Sequence, residues 1–169
     1  MTKAAILLST VLGAGACRMD ARQQAAFPDA STARPFVVGL YEWYHPDSAT
    51  YKDVDQLLSE RRSSLTPDLA ALLAADRDCA ARSHEICNLD FDPMSNSQDP
   101  CDVYEVGGAA PEHGTIAVPI YAVCAGRRDS IPTVIVMLVG DSAGWKISNL
   151  VYDAGKYDLR GILSRKASE

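Results

Sequence analysis

The sequence predicts an α+β domain, with N-terminal helices packed on a strongly curved antiparallel sheet of about four strands. Three observations carry this. Apolar residues keep helical spacing over several turns only in the first half of the chain, between residues 35 and 76. From residue 103 onward they alternate or run together, as strands do. The helices precede the strands instead of interleaving with them, which points away from a parallel sheet.

The elements follow in order. Pro35 can open a helix, and Phe36, Leu40, Trp43 and Tyr44 keep helical spacing until Pro46 stops it. A shorter helix is expected over residues 54–62. The clearest one starts at Thr66, a good N-cap, with Pro67 and Asp68 in its first turn. Leu65, Leu69, Leu72 and Leu73 give it an apolar stripe to lay on a sheet. Residues 103–107 form a short strand. Ile116, Val118, Ile120, Ala122 and Cys124 alternate, with Pro119 on the opposite face at an edge or bulge. Residues 131–139 are nearly all apolar, as in a central strand. In the last strand Trp145, Ile147 and Val151 alternate with Lys146, Ser148 and Leu150. Leu159, Ile162 and Leu163 suggest a closing helical turn.

Ahead of the domain, Lys3 and the uncharged stretch from Ala4 to Ala16 read as a cleaved export signal. That stretch is short of the roughly 20 apolar residues that span a bilayer. Cys17 directly follows Ala14-Gly15-Ala16, the position at which bacterial lipoproteins are acylated. Ala14 stands where the usual lipobox leucine would be, so ordinary cleavage after Ala16 is the alternative. Cysteine arithmetic favours the lipid: of five cysteines, assigning Cys17 leaves an even four. Arg18 after the cysteine points to the outer membrane. Residues 1–16 are then the signal, 17–34 a lipidated tether and 35–169 one domain.

Of the 169 residues, 16 are Lys or Arg and 22 are Asp or Glu, a formal charge of −6 that becomes −7 once Lys3 leaves with the signal. No basic run exceeds a pair, which argues against nucleic acid. With no second long apolar stretch, the lipid is the expected membrane anchor.

Several motifs invite chemistry. Gly140-Asp141-Ser142-Ala143-Gly144 has the form of a nucleophile elbow, but Trp145-Lys146-Ile147-Ser148 continues as a strand where the elbow needs a helix. A hairpin turn is expected, not a catalytic Ser142. Cys79, His84, Cys87 and Cys101 could be written as a zinc site, yet their spacing matches no common module and exported cysteines oxidise. Four cysteines allow three connectivities; Cys79–Cys87, closing a loop after the leucine helix, and Cys101–Cys124, stapling strands, are favoured. His45, His84 and His113 are scattered. Only His45, beside Asp47, could form a base–acid pair.

The segment LDFDPMSNSQDP, residues 89–100, is the densest polar stretch. As a calcium loop starting at Asp90 it fails, with Met94, Ser95 and Cys101 where an oxygen ligand, a glycine and a bidentate acid belong. It offers carboxylates but no nucleophile. Its Asp, Asn and Ser residues fold back on their own backbone, Pro93 and Pro100 stiffen it, and Phe91 and Met94 can plug the edge of the core. A stiff acidic loop is a ready contact surface, and Asp90, Phe91, Asp92, Asn96 and Asp99 are its candidate binding residues. On that reading Asp92→Arg or Asp99→Arg slows association with a basic partner and spares the fold. The alternative is that Asp90 or Asp92 is an internal cap whose loss unfolds the domain.

Taken in order, YEWY, SLTPDLAALLAAD, DFDPMSNSQDP, VPIYAV, GWKISNLVY and DLRGIL resemble the bacterial lipoprotein family of domain of unknown function 3828, over roughly residues 35–165. The most specific pieces are the DFDP and QDP stretch and the closing Trp-Lys-Ile strand with Asp-Leu-Arg. The resemblance implies a cone of the nuclear-transport-factor-two-like (cystatin-like) kind and brings no catalytic residues with it. It also implies partners among envelope proteins: an immunity protein for an antibacterial effector, or an accessory subunit of an envelope assembly. The expected function is therefore a non-enzymatic protein-binding module needing no metal or cofactor. A periplasmic small-ligand binder using the cone's cavity is the alternative. A cone-fold hydrolase or isomerase built on His45 is a third.

Overall fold

A computed structural model of the chain describes residues 28–45, 47 and 50–165. The signal segment, Cys17 and Pro46 therefore lie outside the described residues.

The helical half opens before Pro35. A 3-10 turn over Ala30–Thr32 is capped by Asp29, whose Oδ1 accepts from the Ser31 amide at 2.9 Å. It runs into α1, Ala33–Tyr44, with Pro35 in the first turn, where a missing N–H costs nothing. The buried stripe of α1 is Ala33, Val37, Leu40, Tyr41 and Tyr44, while Phe36 and Trp43 lie at its margins. α2, Val54–Glu60, starts with a capping box: the Asp53 carboxylate accepts from the Gln56 amide and the Gln56 side chain accepts from the Asp53 amide. α3, Pro67–Ser83, is capped by Thr66 as expected and ends on His84 in the left-handed region, φ 58°. It buries Leu69, Ala70, Leu73 and Asp76.

The sheet is open, antiparallel and has seven strands, which corrects the expected four. They are β1, Val103–Val106; β2, Ala110–Glu112; β3, Thr115–Cys124; β4, Arg127–Arg128; β5, Val134–Asp141; β6, Gly144–Tyr152; and β7, Tyr157–Asp158. The backbone order is β1-β3-β5-β6-β7, with β2 and β4 also paired to β3. The added strands are short. β1 and β2 are two stretches pairing with successive halves of β3, residues 120–123 and 115–117, interrupted around Gly107. A Cβ on Gly107 would stand 2.8 Å from Pro119 Cγ and 3.2 Å from its carbonyl, so the break marks a close approach. Gly107→Ala should cost about 1–3 kcal/mol through this overpacking, read as an earlier thermal melt.

Two strand expectations are corrected. Residues 131–133 precede β5 instead of opening it, and Ile131 is 59% exposed. Simple alternation fails in β6, because Leu138 pairs with Ile147 while Met137 pairs with Asn149. Ser148 is the extra residue of a bulge, and its hydroxyl donates to the Met137 carbonyl at 3.1 Å. The bulge resets parity, so Ile147, Leu150 and Tyr152 all point into the core. Val151, expected on the face of Ile147, turns to the outer side instead, paired with Ile135.

α4, Leu159–Leu163, closes the chain and buries Leu159, Ile162 and Leu163 against α3 and β6. Between helices and sheet lies one core, including Val37, Leu69, Val118, Val136 and Ile147. Among the described residues two disulfides form, Cys79–Cys87 and Cys101–Cys124, the favoured pairing. They fit an exported protein. Among the described residues no helix is long and apolar enough to cross a membrane.

Candidate functional site

The stretch at residues 90–99 is built from Asp92 outward. The Asp92 amide donates to the Ser97 carbonyl at 3.0 Å, and the Asp92 carbonyl accepts from the Ser95 and Asn96 amides at 3.3 and 2.9 Å. Asn96 sits at φ 53°, a conformation asparagine tolerates better than most residues. Within this turn Asp92 Oδ1 accepts from the Met94 amide at 2.8 Å and the Ser95 amide at 3.3 Å. The side chain stitches its own loop together.

The domain then grips the loop with tyrosines. The Tyr44 hydroxyl donates to Asp92 Oδ1 at 3.1 Å, and Tyr41 donates to the Met94 carbonyl at 2.8 Å. From the sheet, Tyr152 donates to the Pro93 carbonyl at 3.1 Å and Tyr157 to Asn96 Oδ1 at 3.1 Å. Tyr104 works in the other sense, its hydroxyl accepting from the Cys101 amide at 3.0 Å. The rings stack edge-on or tilted, Tyr41 on Tyr44 at 5.8 Å and Phe91 on Tyr152 at 5.5 Å. Burial holds the Tyr41, Tyr44, Tyr104 and Tyr152 hydroxyls above their ordinary range. Burial also pushes the Asp92 carboxyl up to about 6, against the opposing pull of Met94 N, Tyr44 OH and Ser95 N.

The candidate residues divide accordingly. Asp92 is an internal cap, so its expected role in steering a partner gives way to the alternative, a role in folding. Phe91 packs on the core and Met94 is inside it, as expected of a plug. Asn96 is half-buried on Tyr157. Asp90, Gln98 and Asp99 face solvent. Gln98 Nε2 donates to the Asp90 carbonyl at 3.1 Å and braces this exposed side.

Beside the loop lies a cleft of about 570 Å³, between the start of α2, the second half of α3 and the loop closed by Cys79–Cys87. A second groove of about 420 Å³ holds His45 together with Glu42, Asp47 and Asp102. The His45 ring lies edge-on to Tyr104 at 5.6 Å. The groove supplies acids and a base, and among the described residues no serine, threonine or cysteine lines it.

Ser142 sits in the two-residue turn between β5 and β6, where Asp141 pairs with Gly144 and the Asp141 carboxylate accepts from the Ala143 amide at 2.7 Å. It is a hairpin turn, as expected. His84 caps α3 and His113 occupies the β2–β3 turn at φ 47°. Cys79, Cys87 and Cys101 are spent on disulfides, and the described residues contain no cluster of three or more ligands placed to hold a metal.

Sequence reasoning missed the tyrosine cage. Its one signal was the count, seven tyrosines against three phenylalanines, since a buried ring that keeps its hydroxyl needs a partner for it. No protein-family model, curated protein or solved structure matches the chain.

Proposed function

We propose that this protein is an exported, lipid-anchored, non-enzymatic protein-binding module of the bacterial envelope. Its partner would be an antibacterial effector, with this chain as the immunity protein, or an envelope assembly that it accompanies. The observation that carries the reading is the loop at residues 90–99. Four tyrosine hydroxyls, from α1, β6 and β7, hold its inner side, while Asp90, Gln98 and Asp99 are presented outward. A prebuilt surface loses little entropy on binding. The two disulfides support export, Cys17 supports the anchor, and the resemblance to the lipoprotein family supports the envelope setting.

Two measurements test it. Cys17→Ala should shift the protein from the detergent phase to the aqueous phase; retention of Met1 in the native protein would sink export and lipidation together. A photo-crosslinking residue at Gln98, in living cells, should yield a discrete protein adduct. The same residue at Ala143, at the opposite end of β6, should not. Identical patterns from both positions, or no adduct from Gln98, would sink the binding role.

A further inference from the structure

Four large hydrophobic side chains stand exposed among the described residues, and two of them, Tyr51 (49%) and Ile86 (68%), line the same 570 Å³ cleft. They come from different walls. Tyr51 precedes α2, and Ile86 lies on the loop that Cys79–Cys87 closes. Half-buried Leu89 and Phe91 continue the apolar lining.

Around this apolar lining the charge is one-sided. Besides Asp92, whose Oδ1 is taken up by its own loop and Tyr44, Asp53, Asp76, Glu85 and Asp90 contribute four carboxyl groups, against a single guanidinium, that of Arg77. Arg77 is already engaged: both its Nε, at 2.6 Å, and its NH2 donate to the Asp55 carboxylate. His84 and Tyr51 are the remaining titratable groups on the wall.

The walls are also stiff. Asp76, 6% exposed, accepts from both the amide and the side chain of Asn88 at 2.9 and 3.0 Å, which ties the chain after the disulfide back to α3. Gln98 braces Asp90, and the tyrosine cage fixes Phe91 and Asp92 from behind. An exposed isoleucine on a loop closed by a disulfide and tied by hydrogen bonds is a preorganised contact that loses little freedom when covered.

We infer that this cleft is where the partner docks, and that its occupant is a cationic, amphipathic segment of a protein. A Lys or Arg of the segment enters among the carboxylates while neighbouring apolar side chains cover Ile86 and Tyr51. The inference rests on the protein-binding reading and adds to it a place and a chemistry. Both halves of the complementarity are needed: the acids steer and select charge, and the apolar contacts supply the desolvated anchor that holds.

The test uses the folded, disulfide-intact protein and three fluorescein-labelled helical peptides, built on Lys and Leu, Lys and Ser, or Glu and Leu. Fluorescence anisotropy should show saturable binding of the Lys–Leu peptide alone, weakening as salt rises through about 0.1 M, where charges are screened over about 10 Å. Asp90→Lys and Ile86→Ser should each weaken it about tenfold or more, in the range of interface hot spots. Glu112→Lys, the same charge change as Asp90→Lys but in the β2–β3 hairpin, should leave binding within about twofold. All three positions are exposed, so thermal melts should match the parent protein.

Equal weakening by Glu112→Lys would reduce the effect to net charge and overturn the site. Equal binding of the Lys–Ser peptide would remove the apolar anchor, and unchanged binding in Asp90→Lys and Ile86→Ser would place the contact elsewhere. A protein adduct from Gln98 combined with unchanged peptide binding would sink the cleft while the broader reading stood. Loss of the Gln98 adduct would sink the broader reading itself.

Discussion

Asp92→Ala should unravel the loop and lower the melting temperature more than any other single truncation at the site. It leaves the Met94 amide and the Tyr44 hydroxyl without their shared acceptor, and the Ser95 amide with only the Asp92 carbonyl. A buried donor left unpaired costs about 1–3 kcal/mol, so a total of about 3 kcal/mol or more is expected, against a typical domain stability of about 5–15 kcal/mol. For a domain of this size that is a drop of roughly 10 °C. Asp92→Asn is the informative partner. It keeps an oxygen where Oδ1 sits and should cost about 1 kcal/mol or less at neutral pH.

The two variants separate hydrogen bonding from charge. In the folded protein burial, above all, pushes the Asp92 carboxyl from its ordinary 3.8 up to about 6. Between about pH 4 and 6 the native state therefore holds a proton that the unfolded chain has released. The contribution of Asp92 to stability is greatest below about pH 4 and falls as the pH rises through 6, by on the order of 3 kcal/mol. Tyr44 and Asp53 are the groups whose charge or hydrogen bonding bears on it from α1 and the start of α2. Other carboxylates set the overall pH profile, so the measurement is the difference between Asp92→Asn and the parent protein. The parent should gain on the variant as the pH drops from 7 to 4, in melts followed by circular dichroism. Parallel profiles would show that Asp92 does not titrate in this window.

What the sequence made legible was local. The Thr66-Pro67-Asp68 cap, the Gly140–Gly144 turn and the separation of helices from strands are each decided within a few residues of chain. The cage was not legible because it is made by partners far apart. Tyr44 and Asp92 are 48 residues apart, Tyr152 and Pro93 are 59, and Tyr157 and Asn96 are 61. Periodicity also failed where a single residue changed the count. The bulge at Ser148 shifts β6 by one position, which moves Leu150 from the expected outer face to the core. The phase of α1 slipped for a related reason. Its aromatic run at Tyr41, Trp43 and Tyr44 is compatible with two stripes, and the buried one runs through Val37 and Tyr41, leaving the expected Phe36 and Trp43 at its margins. In the polar loop the sequence shows the density of Asp, Asn and Ser but not which of them face inward, as Asp92 does, and which face solvent, as Asp90 and Asp99 do. Composition cannot say which aspartate is the cap and which is the surface.

Removal of the Cys101–Cys124 bond, by Cys101→Ser with Cys124→Ser, should cost about 3 kcal/mol and lower the melt by roughly 10 °C. The bond closes a separation of 23 residues, and the entropy withheld from the unfolded chain grows with the closed length. It joins the end of the loop to the end of β3, with Cys124 one residue and Cys101 two residues beyond the Val103–Val123 pair, so its loss also loosens Tyr104 at the edge of the cage. Cys79–Cys87 closes only 8 residues and should be worth about 2–3 kcal/mol on the same account. Its removal should act on function more than on the core, since it frees Ile86 while leaving Leu69 and Leu73 in place. The Cys79→Ser with Cys87→Ser variant should thus melt higher than the Cys101–Cys124 variant yet bind the Lys–Leu peptide more weakly. With both bonds reduced, the loss of roughly 5–6 kcal/mol rivals the stability of an ordinary domain, so the protein should lose its fold in excess dithiothreitol near physiological temperature. Urea and thermal melts of the two variants decide the order. A greater loss from the shorter loop would mean that native contacts, and not closure of the unfolded chain, set the value of these bonds.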